Sequence, residues 1–230
     1  MSARDEILAR VRGAVADVTT PPGSGPRTPV VDVPSPGVAE TLELFAENVA
    51  DYRATVLRAA PADVGAIITD TLRTHDCRSV VVPTGLDREW LREVESALEV
   101  RPETEVATAA DLSSVDAVVT ASAVGIATTG TIVLDHRADQ GRRALTLVPD
   151  THICVIRADQ VVHDVPEAVG RLRPDADGPR PLTWVSGPSA TSDIELERVE
   201  GVHGPRTLVV VVVTATEHGS PAEHHEAGPA

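Results

Sequence analysis

The sequence predicts an α/β fold, a parallel or mixed sheet flanked by helices, preceded by an N-terminal helical extension. Three observations lead there. From about residue 54 onward, short β-branched runs alternate with segments of helical periodicity, which is the pattern of βαβ units whose sheet is covered on both faces. The near-continuous run Leu208-Val-Val-Val-Val-Val213 reads as a central strand buried on both sides. A chain of 230 residues with 42% apolar and 24% charged composition is long enough for one large domain with a terminal extension.

In chain order, Ser2 and Asp5 resemble a capping box, and Ile7, Leu8, Val11, Val15 and Val18 recur at helical spacing, so a short amphipathic helix opens the chain. Residues 19–37 carry Pro21, Pro22, Gly23, Gly25, Pro26, Pro29, Pro34, Pro36 and Gly37, a density that no helix sustains, and read as an extended linker. A second helix spans roughly 38–51, with Leu42, Phe45, Val49 and Tyr52 on one stripe and an acidic opposite face. Strands follow at 54–58, 79–82, 116–120, 131–135, 153–157, 182–186 and 207–213, with helices at 63–74 and 87–98. The apolar runs between 116 and 135 are close enough to form a hairpin, which leaves a mixed sheet open. The domain proper then covers 38–216, and the polar tail 217–230, rich in Gly, Pro, Glu and His, is expected to be disordered.

Composition excludes several function classes. Lys plus Arg total 20 against 35 Asp plus Glu, a net charge of −15, which opposes nucleic-acid binding and polybasic membrane attachment. Aromatic content of 2% leaves little for base stacking. Two cysteines, Cys77 and Cys154, supply neither a disulfide framework nor a four-thiolate cluster. The longest aliphatic run is far short of the ~20 residues of a spanning helix, and the N-terminus lacks the features of a signal peptide, so a reducing cytoplasm is expected.

Five segments around the apolar runs hold the candidate chemistry. In Ala127-Thr-Thr-Gly-Thr-Ile-Val133, Gly130 flanked by hydroxyls can cradle an anion, although a strand-entry turn is the plainer reading. Asp135-His-Arg-Ala-Asp-Gln-Gly-Arg-Arg143 places three arginines in an acidic chain, either as an anion contact or as solvated local ion pairs. His152 stands at the mouth of an apolar run, where imidazole serves as acid, base or ligand, and Cys154 shares its face. Gly187, Ser189 and Asp193 follow a strand, where they can cap a helix or meet a carboxylate or phosphate. His203 lies in Gly201-Val-His-Gly-Pro-Arg206, between glycines and before the last buried strand. No dinucleotide fingerprint, Walker sequence, serine-hydrolase elbow or metal-ligand spacing is present, and no metal site is expected.

Taken in order, these segments resemble the LUD domain family, in its lactate-utilization branch. The carrying residues are Thr129-Gly-Thr131, Gln140-Gly-Arg142, Val148-Pro149 with His152, Gly187-Pro-Ser189 with Ser192-Asp-Ile194, and Gly201-Val-His-Gly-Pro205. The N-terminal helix from Arg4 and its Pro-rich linker extend the likeness over nearly the whole chain. One departure is Thr128, directly before the Thr-Gly-Thr, where the family pattern has an acidic residue. The resemblance implies a fold related to the glucosamine-6-phosphate isomerase, ribose-5-phosphate isomerase and CoA-transferase group. It implies participation in the oxidation of L-lactate to pyruvate with two iron–sulfur partner proteins, which carry the clusters while this chain holds no cofactor. A small anionic ligand would then meet Thr129, Gly130, Thr131, Arg142, Arg143, Gly187, Ser189 and Asp193, with His152 or His203 moving a proton. The alternatives are a stand-alone isomerase or acyl/CoA transferase on the same fold, and a scaffold without a working site.

Overall fold

The structure is a computed structural model that describes residues 2–17, 36–172, 180–192, 198–200 and 204–214. The chain forms two compact units, residues 1–35 and 36–230. In the first, α1 (Ala3–Ala14) starts on Ser2 and Asp5, whose side chains cap each other's backbone N–H groups. It ends at Ala14 with Val15 as its cap, short of the expected Val18, where Gly13 in the last turn carries a high helical entropy cost, and it buries none of its residues.

The second unit is built on six strands, all parallel. They are β1 (Thr55–Ala59), β2 (Ser79–Val82), β3 (Glu99–Pro102), β4 (Ala117–Thr120), β7 (Thr151–Arg157) and β12 (Thr207–Val213), in the order β1-β12-β7-β4-β2-β3. The expectation of a sheet buried on both faces holds for the four inner strands, whose side chains alternate between two cores. Ile153, Val155, Val209 and Val211 pack with Ile68 and Leu72 of α3 (Val64–Thr74) and with Leu91 and Val94 of α4 (Arg88–Ala97). Cys154, Ile156, Leu208, Val210 and Val212 face the other way, onto Phe45 and Val49 of α2 (Val38–Asp51) and onto a second sheet. Burying such residues contributes roughly 1.5–3 kcal/mol each before conformational entropy is subtracted.

That second sheet joins β5 (Val124–Ile126), β6 (Thr131–Leu134), β8 (Val161–Val162) and β9 (Thr183–Val185) in the order β8-β5-β6-β9. The hairpin expected between the runs 116–120 and 131–135 does not form: β4 stays in the parallel sheet, and β6 pairs antiparallel with the unforeseen strand β5 instead. Strand β8 escaped the pattern reading because it is only two residues long, and β3 and β5 because they are short and carry Glu99 and Arg101 or Gly125 where a periodic apolar signal would stand. Two helices did as well: α5 (Ala109–Ser113) and α6 (Val165–Leu172), with Pro166 in the first turn of α6 and Asp164 Oδ1 accepting the Glu167 N–H. A short antiparallel pair, β10 (Ala190–Ser192) with β11 (Arg198–Glu200), completes the strands among the described residues. The expected disordered tail lies outside the described residues. Among those residues, no helix is long and apolar enough to cross a membrane.

Candidate functional site

The Thr-Gly-Thr segment turns the chain from β5 into β6. Gly130 takes φ +56°, and a Cβ there would lie 2.6 Å from the Asn48 carbonyl, so only glycine lets the turn close against the end of α2. Asn48 Nδ2 fastens the same turn by donating to the Ala127 carbonyl at 2.8 Å. Thr129 Oγ1 donates to Thr131 Oγ1 at 2.8 Å, and Thr131 Oγ1 lies 2.7 Å from Ser186 Oγ. Gly187, at φ +88°, fits under Tyr52, whose carbonyl oxygen would stand 2.7 Å from an added Cβ. Thr129, Gly130, Thr131 and Gly187 therefore come together, as a buried Thr131 between the exposed hydroxyls of Thr129 and Ser186. The cluster abuts the carbonyl end of α2, where the partial negative charge of a helix terminus favours donors over anions.

The arginines go elsewhere. Arg142 donates to the carbonyls of Val106 and Ala107. Arg143 Nη1 donates to Thr183 Oγ1 at 3.0 Å, and Thr183 pairs with Leu134, at the opposite end of β6 from Thr131. His136, held at φ +56°, completes this group. Its Nδ1 donates to the Gly141 carbonyl at 2.9 Å, since a carbonyl only accepts, and its Nε2 lies 2.8 Å from Thr183 Oγ1. A single relay thus runs from Arg143 through Thr183 and His136 to Gly141.

His152 is sealed inside the sheet at 2% exposure rather than opening on solvent. Its Nε2 lies 2.8 Å from Thr120 Oγ1. Burial pushes the imidazole down to about 4, so the ring is neutral at physiological pH. Cys154 shares its face, as the strand period requires, and desolvation pushes that thiol up to about 12. The Ser189 N–H donates to the Pro205 carbonyl at 2.8 Å beside Gly204. His203 and Asp193 lie outside the described residues.

In α/β sheets ligands gather beyond the carboxyl ends of the strands. Past the ends of β4 and β7 lies a cleft of about 430 Å³ lined by Asp135, Arg137, Asp139, Gln140, Arg157 and Asp159 among others.

A family model, the LUD domain, matches residues 42–213. The chain belongs to the LUD domain family. Over 213 residues it is 46% identical to "Lactate utilization protein C" of Deinococcus radiodurans, an alignment spanning 92% of this chain and 95% of that protein. The Bacillus subtilis protein of the same name is 33% identical over 100 residues, covering 42% of this chain and 41% of its own length. A crystal structure of a duf162 family protein from Deinococcus radiodurans superposes with a TM-score of 0.67 at 42% identity, covering 77% of this chain and 99% of that one.

In this LUD domain the sequence motifs separate to the turn at Gly130, the relay at Thr183, the backbone carbonyls held by Arg142, the buried pair at His152 and the cleft. The cleft takes Asp135, Arg137, Asp139 and Gln140 from the arginine-bearing segment 135–143, whereas Arg157 and Asp159, at the end of β7 and the turn after it, carry no local motif. The rule about strand carboxyl ends would have found them, had β5 and β6 been separated from the parallel sheet.

Proposed function

We propose that the chain is a lactate utilization protein C-type component that takes part in oxidising L-lactate to pyruvate with two iron–sulfur partner proteins. The observation that carries this reading is the 46% identity over nearly the full length of both proteins. The reaction removes two electrons and two protons from the lactate carbinol. The electrons pass to clusters on the partners, and the protons leave to solvent or to a basic side chain. Two cysteines buried in different hydrophobic clusters support a division of labour in which the partners carry the redox groups.

The role of this chain in that system is to hold a small anion. Its site is best placed at the cleft beyond β4 and β7, since the carbonyl end of α2 disfavours an anion at Thr129–Thr131. The test is reconstitution of the chain with its two partners and an artificial electron acceptor. L-lactate-dependent pyruvate formation should fall sharply when this chain is left out. An unchanged rate would overturn the proposal.

A further inference from the structure

The walls of the cleft are set by two glutamines. Gln140, 2% exposed, accepts the Asp135 N–H at 2.7 Å and donates to Asp139 Oδ1 at 3.2 Å. Gln160 accepts the Arg157 N–H at 2.9 Å and donates to the Ser122 carbonyl at 2.8 Å. Between them stands Asp135, 6% exposed. Its Oδ2 meets Arg137 Nε at 2.8 Å, with Arg180 Nη1 at 4.0 Å, but its Oδ1 is buried without a hydrogen-bond partner. A buried carboxylate oxygen left unpaired is costly, and on a residue that lines a cleft it marks where a donor belongs.

The surroundings say what kind of donor. The charge of Asp135 is already met at Oδ2 by Arg137 and, at 4.0 Å, by Arg180, so Oδ1 calls for a neutral O–H rather than a further cation. Arg157, on the other wall, is ion-paired through Nε to Asp159 Oδ1 at 3.1 Å and is more than half exposed. Three arginines (137, 157, 171) face three aspartates (135, 139, 159) along the lining, so this patch is locally neutral in a chain of net charge −15. Arg171 is spent on Glu167. Arg137 and Arg157 are each more than half exposed and use only Nε in their ion pairs, so their outer N–H groups stay open to an anion in a chain that is otherwise acidic.

We infer that the cleft binds a small anion that also bears a hydroxyl group, with the hydroxyl donating to Asp135 Oδ1 and the anionic group lying against Arg157 and Arg137. A hydroxy acid and a phosphorylated polyol share this chemistry. Only the hydroxy-acid form rests on the lactate reading.

The test is calorimetric titration of the full chain, without partners, using L-lactate and glycerol 3-phosphate as probes, and propionate and inorganic phosphate as their hydroxyl-free counterparts. At least one probe should bind about tenfold or more tightly than its counterpart, L-lactate marking a hydroxy-acid site and glycerol 3-phosphate a phosphorylated-polyol site. Arg157→Ala, at an exposed position that leaves folding intact, should weaken that probe about tenfold. Asp135→Asn should reduce the preference for the hydroxyl-bearing probe. Failure of both probes to bind, equal binding of probe and counterpart, or wild-type affinity in Arg157→Ala would overturn the inference. Because no partner is present, any of these results leaves the lactate-oxidation reading to its own omission test.

Discussion

Thr120 Oγ1 and His152 Nε2 meet at 2.8 Å between two central strands of the parallel sheet, with both side chains sealed from solvent. Thr120 pairs in register with Cys154, so it reaches His152 diagonally, on the face that packs against α2 and the second sheet. The pair ties β4 to β7 by a side-chain hydrogen bond beyond their backbone ladder.

This burial has a pH signature. The unfolded chain's histidine takes up a proton near 6.5, whereas the folded ring resists it until about 4. Between those values the unfolded state binds more protons, so stability falls as the pH drops, by up to about 1.4 kcal/mol per pH unit from this group. Above 6.5 it contributes no slope. Urea melts at pH 7.5, 6 and 5 should show the decline, and His152→Gln should flatten it. An equal slope in the variant would assign the acid sensitivity elsewhere.

Cys154 should be chemically silent. With no exposure and its thiol pushed up to about 12 by burial, it presents no thiolate at pH 8. Cys77 is 7% exposed, and desolvation raises its thiol as well. A chromogenic disulfide reagent should leave both unmodified in the native chain for as long as folding persists, and titrate both in denaturant. Rapid native labelling of Cys154 would contradict the packing described.

Gly130→Ala should lower stability by about 1–3 kcal/mol, because a Cβ at positive φ adds backbone strain to a collision with α2. Gly187→Ala should behave alike, since its Cβ would meet Tyr52 at 2.7 Å. Thermal melts of both variants check this. Wild-type stability in both would mean that the contacts with α2 are not what holds the turns.

Thr131→Val keeps the shape of a buried side chain but removes its hydroxyl bonds to Thr129 and Ser186. The expected loss is about 1 kcal/mol, since both exposed partners can turn to water. Denaturant midpoints measure it. A loss above about 3 kcal/mol would show that the two hydroxyls cannot be satisfied by solvent.

How much was legible depends on how each signal is carried. The inner strands could be read directly, because Leu208–Val213 and Ile153–Ile156 are apolar at every position, which only burial on both faces explains. The edge strand Glu99–Pro102 could not, since none of its residues is fully buried and its composition follows. The three arginines of 137–143 were identifiable as unusual in an acidic chain. Their destinations were not: Arg137 goes to the cleft, Arg142 to backbone carbonyls and Arg143 to Thr183.

What the sequence determined by itself is the class of fold, the parallel sheet at its centre and the family, since periodicity, burial and ordered motifs are properties of the chain read locally. What only the tertiary structure decided is which polar groups meet. The left-handed turns at Gly130 and Gly187, the second sheet and the parallel pairing of β4 with β7 bring residues far apart in the chain within hydrogen-bond reach. Whether a side chain becomes structural, like Thr131 and His152, or stands in an open cleft, like Asp135 and Arg157, follows from the space and the partners that packing leaves it, and neither is written in its neighbours along the chain.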